Sequence, residues 1–256
     1  MAVGNFANCL NVTLAYEGGW AEHPKDPGGA TMKGVTLATF RRWKPGATKT
    51  DLRNISTETL QKIYRADYWE PVKGDTLARG VDLATFDYGV NSGPATARKQ
   101  LLKVLGGTDA ETVKRLCKAR LSSYQSFKTW ITFGKGWTVR VTAVEAKGVA
   151  WSLVADAPVD APTPSPAEAL KAEGIKAAST AKIQGNGGYA SAGGAGGGVA
   201  TPTHADNLDQ LATWLLAGIV VGAIALAVYL LWRSHINKKR AEAYRAEAAI
   251  VESGAA

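Results

Sequence analysis

The sequence predicts a mainly α protein: a helical head with one small irregular loop or hairpin, followed by one carboxyl-terminal transmembrane helix. Phe6, Leu10 and Leu14 recur at the spacing of one helix face. Residues 20–35 are rich in Gly and Pro, contain one Asp, and interrupt the helical pattern. Residues 211–232 are apolar and uncharged, and they are numerous enough to cross a bilayer core as a helix.

Start and stop signals divide the head into short helices. The glycine pair at 18–19 ends the first amphipathic run. Thr36 or Thr39, and then Ser56, are expected to cap the next helices because their hydroxyls can accept from free backbone amides. The stretch "NSGP" at 91–94 supplies a proline for the first turn of another helix. Two further helical stretches follow, near 109–124 and 137–155.

The charge is concentrated in one part of the chain. The formal net charge is +8, and eleven Lys or Arg residues between Arg98 and Lys147 face three acidic ones. Such a region attracts polyanions, of which nucleic acid, an anionic membrane surface and an anionic cell-wall polymer are the candidates. The alternative is a solvated basic face. Since no nucleic-acid-binding motif accompanies the charge, we expect no nucleic-acid partner.

Metal and cofactor chemistry is not indicated. Cys9 and Cys117 are too few for a disulfide framework, and we expect both to be buried on helices. There is no CxxC, no HExxH and no phosphate-binding loop of Walker type, so we expect neither a metal nor a cofactor.

The chain beyond the head predicts a tethered membrane protein. Residues 156–210 are rich in Ala, Pro and Gly and are expected to form a linker, with a short helix near 168–181. The predicted span at 211–232 precedes a charged tail at 233–256. Gly218 and Gly222 stand at GxxxG spacing, which allows a weak association between two spans.

The charges around the span predict its orientation. Arg233, Lys238 and other basic residues follow it, whereas Asp206 and Asp209 precede it. The positive-inside rule then predicts a single-pass anchor in the inner (cytoplasmic) membrane, with the tail inside and the head in the periplasm. The amino terminus lacks the pattern of a secretory signal, so a head that remains in the cytoplasm is the alternative.

The chemistry-bearing residues lie in and beside the irregular interval. Glu17 ends the first helical run, where the helix dipole disfavours a charged carboxylate, and Trp20 can add an apolar cover. Both effects favour an acid that still holds a proton near neutral pH. Asp26 and Thr31 follow in the loop, and this set is suited to cleaving a glycosidic bond. The alternative is an ordinary helix-end carboxylate followed by a turn.

Three long motifs carry a resemblance to a known family. "YEGGWAEHPKDPGGATMKGVTLATF", "IYRADYWEPVKGDTLARGVDLATFDYGVNSGP" and "ARLSSYQSFKTWITFGKGWTVRV" resemble glycoside hydrolase family 108, the N-acetylmuramidases of bacteria and phages. The resemblance covers about residues 5–150. It implies a lysozyme-like catalytic domain at 1–95 and a helical region at 96–155 similar to the family's peptidoglycan-binding region, which departs from the usual pattern at "LGGTDAETV".

The resemblance also assigns roles. The Glu of the EGG motif, Glu17, is the expected catalytic acid, and Asp26 matches the second carboxylate of phage lysozymes. Thr31 falls one residue early for their threonine, and Met32 departs from the family's pattern. Chemistry and resemblance together suggest substrate contacts, although the aromatic and helical members of this set can equally pack the core: Trp20, Tyr64, Tyr68, Trp69, Asp87 and Asn91.

The sequence thus predicts an enzyme that cleaves the β-1,4 bond between N-acetylmuramic acid and N-acetylglucosamine, in host lysis or particle release. Its expected partners are peptidoglycan glycan strands and the lipid bilayer. One alternative is a lytic transglycosylase, which uses one acid and no water. Another is a wall-binding membrane anchor or pore without enzymatic activity.

Overall fold

The computed structural model describes residues 4–22, 29–156, 164–195 and 207–254. The chain divides into two compact units, Met1–Pro166 and Ala167–Ala256. Unit 1 is the predicted head, and unit 2 contains the predicted span. Ten α-helices and one small sheet occur in the described ranges, which confirms the predicted fold class.

Unit 1 begins with one helix and a three-stranded sheet, followed by seven helices. The bounds are α1 Phe6–Leu14, β1 Trp20–Ala21, β2 Thr31–Met32, β3 Val35–Thr36, α2 Leu37–Trp43, α3 Lys49–Arg53, α4 Thr57–Tyr64, α5 Val81–Ser92, α6 Pro94–Val104, α7 Asp109–Gln125 and α8 Trp130–Asp156. A π-helical turn, Arg65–Trp69, continues α4, and a 3-10 turn, Gly74–Thr76, precedes α5.

The core of unit 1 is built around α5. Every residue from Val81 to Gly89 is buried, because α1, α6, α7 and α8 all pack against this helix. A helix that is covered all round must bury any charge it carries, and α5 carries Asp82 and Asp87 in this stretch. Both carboxylates are therefore expected to have partners within the protein.

The predicted helix signals are largely confirmed. The Thr36 and Ser56 hydroxyls accept from backbone amides at the starts of α2 and α4. Pro94 occupies the first turn of α6. The helix expected at 137–155 begins earlier, at Trp130, and α1 ends at Leu14 rather than at the glycine pair.

The irregular interval contains the sheet. Its strands pair in the antiparallel order β1-β2-β3, with Trp20 opposite Met32 and Thr31 opposite Thr36. Lys33 and Gly34 form a two-residue turn between β2 and β3 with positive φ of 48° and 77°. Two positive φ values are typical of the tight turns that match the twist of a hairpin.

Unit 2 consists of α9 Pro166–Ala195 and α10 Asn207–Glu252. The interval expected to be a linker with a short helix thus contains a helix of 30 residues. Within the described part of the chain, Ala217–Glu252 of α10 is long and apolar enough to contain a membrane crossing, with a mean hydropathy of 1.8 in its most apolar window. Side chains built on Gly218 or Gly222 would meet open space.

Candidate active site

Glu17 lies at the junction between α1 and the sheet. The Tyr16 and Glu17 amides donate to the Thr13 and Leu14 carbonyls, so a turn carries the chain from the helix to the glycine pair. The Glu17 side chain is 19% exposed, and Oε1 accepts a hydrogen bond of 2.9 Å from Arg140 Nη1. The first helix does not reach Glu17, and a guanidinium on α8 contacts the carboxylate. The prediction that Glu17 stands at the end of the first helix is therefore wrong, since α1 ends at Leu14. The predicted cover by Trp20 stays a prediction.

Arg140 is itself held by a buried carboxylate. Its Nη2 donates to Asp87 Oδ1 at 2.8 Å, and its Nε lies 3.0 Å from Oδ2. Arg120 on α7 donates to the same carboxylate at 2.6 Å. Asp87 is fully buried, and its burial alone would raise the pKa of the carboxyl. The two guanidinium groups outweigh burial and hold the Asp87 pKa below its usual range.

The other Glu17 oxygen lies beside the β2-β3 turn. The Tyr64 hydroxyl donates to the Lys33 carbonyl at 2.8 Å. A Cβ built on Gly34 would overlap that hydroxyl and would lie 3.1 Å from Glu17 Oε2. Glycine is therefore required at this position for space as well as for its positive φ. The turn and Tyr64 fix the sheet against one side of the carboxylate, and Arg140 fixes the other.

Two tyrosines lie on the more exposed side of the Glu17 carboxylate. The Tyr16 side chain is 37% exposed and its ring lies 5.5 Å from the Arg140 guanidinium, within cation-π distance. Tyr68 is half-buried, and its ring centre is 5.4 Å from that of Tyr64. Burial, Asp67 and Glu17 raise the Tyr68 pKa, so this phenol stays protonated at neutral pH. The open side of the carboxylate is thus bordered by aromatic groups that can contact a sugar.

The hydrogen-bonded network around Asp87 extends to the exposed end of α5. Arg120 Nε donates to the Tyr124 hydroxyl at 2.7 Å, and this hydroxyl donates in turn to Asn91 Oδ1. Ser92 also hydrogen-bonds with the Tyr124 hydroxyl. Asn91 is exposed on the last turn of α5. A continuous chain of polar contacts therefore connects Glu17 to Asn91.

Three of the predicted substrate contacts are corrected by their burial. Trp69 is 0% exposed and packs edge-on against Phe6 and Phe86, so its ring cannot stack on a sugar. Tyr64 is 1% exposed and positions the turn through its hydroxyl. Asp87 cannot line a cleft floor, because it serves as the buried anchor of Arg140.

The remaining predicted residues have mixed outcomes. Trp20 is half-buried in β1, where Arg53 lies 5.5 Å over its ring. Thr31 is half-buried in β2, and its hydroxyl makes a long contact of 3.5 Å to the Gly29 carbonyl. Asp26 lies outside the described residues. Its role stays a prediction, as do the substrate contacts of Trp20, Tyr68 and Asn91.

Sequence reasoning missed the two arginines that build the site. Arg120 and Arg140 belong to the basic region and were counted with its surface charge, but they are 1% and 7% exposed. A signal was present for Arg140, which stands alone in the otherwise uncharged stretch "WTVRVTAV". Asp87 stands alone in "LATFDYGV" in the same way. Isolated opposite charges in apolar helices are expected to pair in the core.

No group of acidic, cysteine or histidine side chains suited to holding a metal ion occurs among the described residues. Cys9 and Cys117 are both buried in this part of the chain. The chemistry that the described groups offer is proton transfer by one half-buried carboxylate.

Comparisons with known proteins agree with this arrangement. Residues 10–93 match the model of the family glycosyl hydrolase 108. A solved structure of SagA from Brucella abortus is similar to this chain, with 39% sequence identity and a TM-score of 0.51. The match covers 58% of this chain and 96% of that one. None of the curated proteins matches the sequence. This chain belongs to the glycosyl hydrolase 108 family and is a glycosidase of the peptidoglycan-hydrolase kind.

Proposed function

We propose that this glycosidase is an N-acetylmuramidase that cleaves the β-1,4 bond between N-acetylmuramic acid and N-acetylglucosamine, with Glu17 as the general acid. The observation that carries the proposal is the placement of Glu17. Its carboxylate is partly exposed beside the small sheet, and it is fixed by an arginine that a buried carboxylate orients in turn. Such fixed placement is what proton transfer to a leaving oxygen requires.

The geometry supports different roles for the two carboxylate oxygens of Glu17. Oε1 accepts a hydrogen bond from Arg140, so a proton on this oxygen would face a cation. Oε2 lies on the other side, toward the Gly34 turn. We therefore assign the transferred proton to Oε2.

Asp26 and Thr31 complete the proposed mechanism. The Asp26 carboxylate stabilises the oxocarbenium-like transition state or positions the attacking water. The Thr31 hydroxyl, which β2 places in the sheet that follows Glu17, orients that water. Glu17 gives its proton to the leaving oxygen, and the water oxygen bonds to the anomeric carbon as the glycosidic bond breaks. The water then releases one proton to the solvent, and Glu17 regains one proton from the solvent, so the protons balance over one turnover.

Clearing of purified peptidoglycan by the full chain tests the assignment of Glu17. We expect Glu17→Gln to reduce the rate of turbidity loss by about 10²–10⁴-fold, since the amide cannot donate the required proton in the same way. Glu22→Gln is the matched control, because Glu22 is an exposed carboxylate nearby in the chain that pairs with Lys49 on the surface. Equal clearing by wild type and Glu17→Gln would remove Glu17 from the mechanism.

The products distinguish hydrolysis from the action of a lytic transglycosylase. Hydrolysis adds one water to each cleaved bond, whereas transglycosylation gives anhydro sugar ends of lower mass. We expect mass spectrometry of the released muropeptides to show the hydrated ends. Anhydro ends that depend on Glu17 would retain the acid and replace the muramidase with a transglycosylase.

We propose that α10 anchors the protein in the cytoplasmic membrane. We further propose that the enzyme acts in host lysis or particle release. The long apolar helix supports the anchor. The glycan strands of peptidoglycan and the bilayer are the proposed partners. A tethered glycosidase acts on the wall layer next to the membrane, so cleavage is confined to the site of anchoring.

One observation supports a second candidate function, an anchor or pore formed by the span in addition to the glycosidase activity. Gly218 and Gly222 have open space where a side chain would stand, so a second span can approach closely along this face. Expression of residues 200–256 alone tests this function by dye leakage. Leakage from this fragment would support a pore, whereas lysis that requires both the head and Glu17 would exclude it as the main activity.

A further inference from the structure

The two helices of unit 2 pack antiparallel along the carboxyl-terminal half of α10. Lys171 near the start of α9 forms an ion pair with Glu252 near the end of α10. Further along α9, the Ala181 carbonyl accepts a hydrogen bond of 2.7 Å from Ser234 Oγ. The residue numbers of α9 therefore rise where those of α10 fall.

A groove with a volume of about 330 Å³ lies along one side of this helix pair. Small residues contribute to its lining from both helices, among them Ala181 and Gly185 on α9 and Ser234 and Ala241 on α10. A Cβ built on Gly185 would lie 3.2 Å from Ser234 Oγ, so larger side chains would fill this space. The groove has the size of a site for a small ligand.

The charges that line the groove are mainly positive. Lys182 on α9 and Lys238 and Arg245 on α10 all line it, and all three are exposed. Within the part of the chain that the structure describes, none of these three cations forms an ion pair. Glu242 also lines the groove, but its carboxylate accepts a hydrogen bond of 2.7 Å from Lys239, which is not a lining residue. We call this space the basic groove.

The donors of the basic groove are suited to phosphate. A lysine ammonium presents three N–H donors, and an arginine guanidinium presents a planar fork that matches phosphate oxygens. Asn186 adds an amide and Tyr189 a hydroxyl to the same lining. Donors that come from two helices approach a ligand from several directions. A phosphate group accepts hydrogen bonds in several directions, because its oxygens are arranged as a tetrahedron.

The basic groove follows directly on the apolar part of α10. Residues 211–232 carry no charge, and Ser234 and Lys238 lie less than two helical turns beyond Trp232. Beyond the apolar core of a bilayer lies the headgroup region, which is about 5–8 Å deep on each side. Basic pockets at the ends of membrane helices bind the headgroups of anionic lipids.

We propose that the basic groove binds a ligand that carries a phosphate group. The ligand is either the headgroup of an anionic phospholipid or a small soluble phosphate, and both supply the same chemistry to Lys182 and Lys238. A bound phosphate neutralises cations of both helices and so stabilises their pairing. Only the lipid source rests on the proposed membrane anchor, and neither source depends on catalysis by Glu17.

Isothermal titration of the full chain in a neutral detergent tests the proposal with three probes. They are inorganic phosphate, a short-chain phosphatidic acid, and the diacylglycerol with the same acyl chains, which differs from the phosphatidic acid only by lacking the phosphate. We expect phosphatidic acid to bind and diacylglycerol to give no binding heat. Phosphatidic acid that binds more tightly than inorganic phosphate identifies a lipid site, and equal affinities identify a site for soluble phosphate.

Charge variants assign the binding to the basic groove. We expect the double variant Lys182→Gln with Lys238→Gln to weaken the binding of phosphatidic acid by about tenfold or more. Lys176→Gln is the matched control, because Lys176 is exposed on α9 and does not line the groove, and its affinity should stay within about twofold of wild type. Glu242→Gln removes a negative charge from the lining and should strengthen binding by about twofold.

Two results would overturn the proposal. One is equal affinity of wild type and the double variant, which would place the phosphate elsewhere on this basic chain. The other is equal binding of phosphatidic acid and diacylglycerol, which would show that the acyl chains alone are recognised. The clearing of purified peptidoglycan should be unchanged in all these variants, since the groove lies in unit 2, and it tests Glu17 separately.

Discussion

The two units of this protein position their groups by opposite means. In unit 1, Glu17 is placed by charges, since Arg140 connects it to the buried Asp87 and each bond has a defined direction. In unit 2, α9 and α10 are placed by the absence of side chains, since glycines such as Gly188 let the backbones approach. The comparison shows two ways of fixing a position: one half-buried carboxylate is held by charged partners, whereas two long helices are held by contact along their length.

The energetic consequences of a single substitution differ accordingly. Removing one member of a buried ionic network leaves its partners charged and unpaired, which costs several kcal/mol. Filling a groove between two helices instead displaces surfaces that can slide or repack. Four substitutions test this difference, beginning with the one expected to have the largest effect.

Asp87→Asn is expected to destabilise the protein by about 3–5 kcal/mol, because Arg120 and Arg140 would remain buried without their carboxylate. Thermal unfolding of the full chain in detergent measures the change. Glu58→Gln serves as the control, since Glu58 is an exposed partner of Lys62 one helical turn away, and its loss should not shift the melting temperature. An unchanged melting temperature for Asp87→Asn would contradict the network.

The same variant gives a pH dependence with a defined sign. The pKa of folded Asp87 is below its usual range, so the stabilisation is complete above the unfolded value of about 3.9 and is lost as pH falls. The difference in stability between wild type and Asp87→Asn should therefore narrow below about pH 4. A difference that widens toward acid pH would mean that Asp87 is protonated in the folded protein.

Arg140→Lys is expected to lower the clearing rate by about 10²-fold, because a single ammonium cannot keep the guanidinium's bonds to both Glu17 and Asp87. Turbidity loss on purified peptidoglycan gives the rate. Arg115→Lys is the matched control on α7, where the arginine is exposed. If both variants clear as fast as wild type, Arg140 does not position the acid.

Gly34→Ala is expected to cost about 1–2 kcal/mol and to slow clearing, because alanine adds strain at φ 77° and meets the Tyr64 hydroxyl. Adding Tyr64→Phe removes that hydroxyl and should recover part of the loss. A double-mutant cycle of melting temperatures measures the coupling. Strictly additive changes would show that the turn does not press against Tyr64.

Gly188→Val is expected to have the smallest effect, confined to unit 2, because the added methyl groups displace Leu231. The readout is disulfide formation between cysteines at Gln184 and Asn237, whose side chains are hydrogen-bonded. Gly218→Val is the control, since open space surrounds that glycine. We expect less cross-linking only for Gly188→Val, with clearing by the solubilised protein unchanged in both.

The features that were predicted correctly from the sequence are those that depend on neighbouring residues. The cap residue Ser56, the proline at the start of α6 and the apolar helix of unit 2 were all predicted from neighbouring residues, because these signals act within a few positions. The irregular interval was likewise identified, because glycine and proline interrupt helical periodicity.

The parts that could not be predicted depend on contacts distant in sequence. Glu17 and Arg140 are 123 positions apart, and no pattern in either segment specifies the other. Tyr64 and Trp69 have the composition of sugar-binding residues, but the packing of α1 and α5 around them decides that they are buried. The pairing of α9 with α10 was missed because a stretch rich in glycine is typical of a flexible linker when it has no partner.

The most direct test of the central claim asks whether Glu17 supplies a proton. Two substrates are compared for wild type and Glu17→Gln: purified peptidoglycan, and a short glycan with a dinitrophenyl leaving group, which departs without protonation. We expect Glu17→Gln to lose about 10²–10⁴-fold on peptidoglycan and to stay within about tenfold of wild type on the activated substrate. An equal loss on both substrates would contradict the assignment of Glu17 as the general acid.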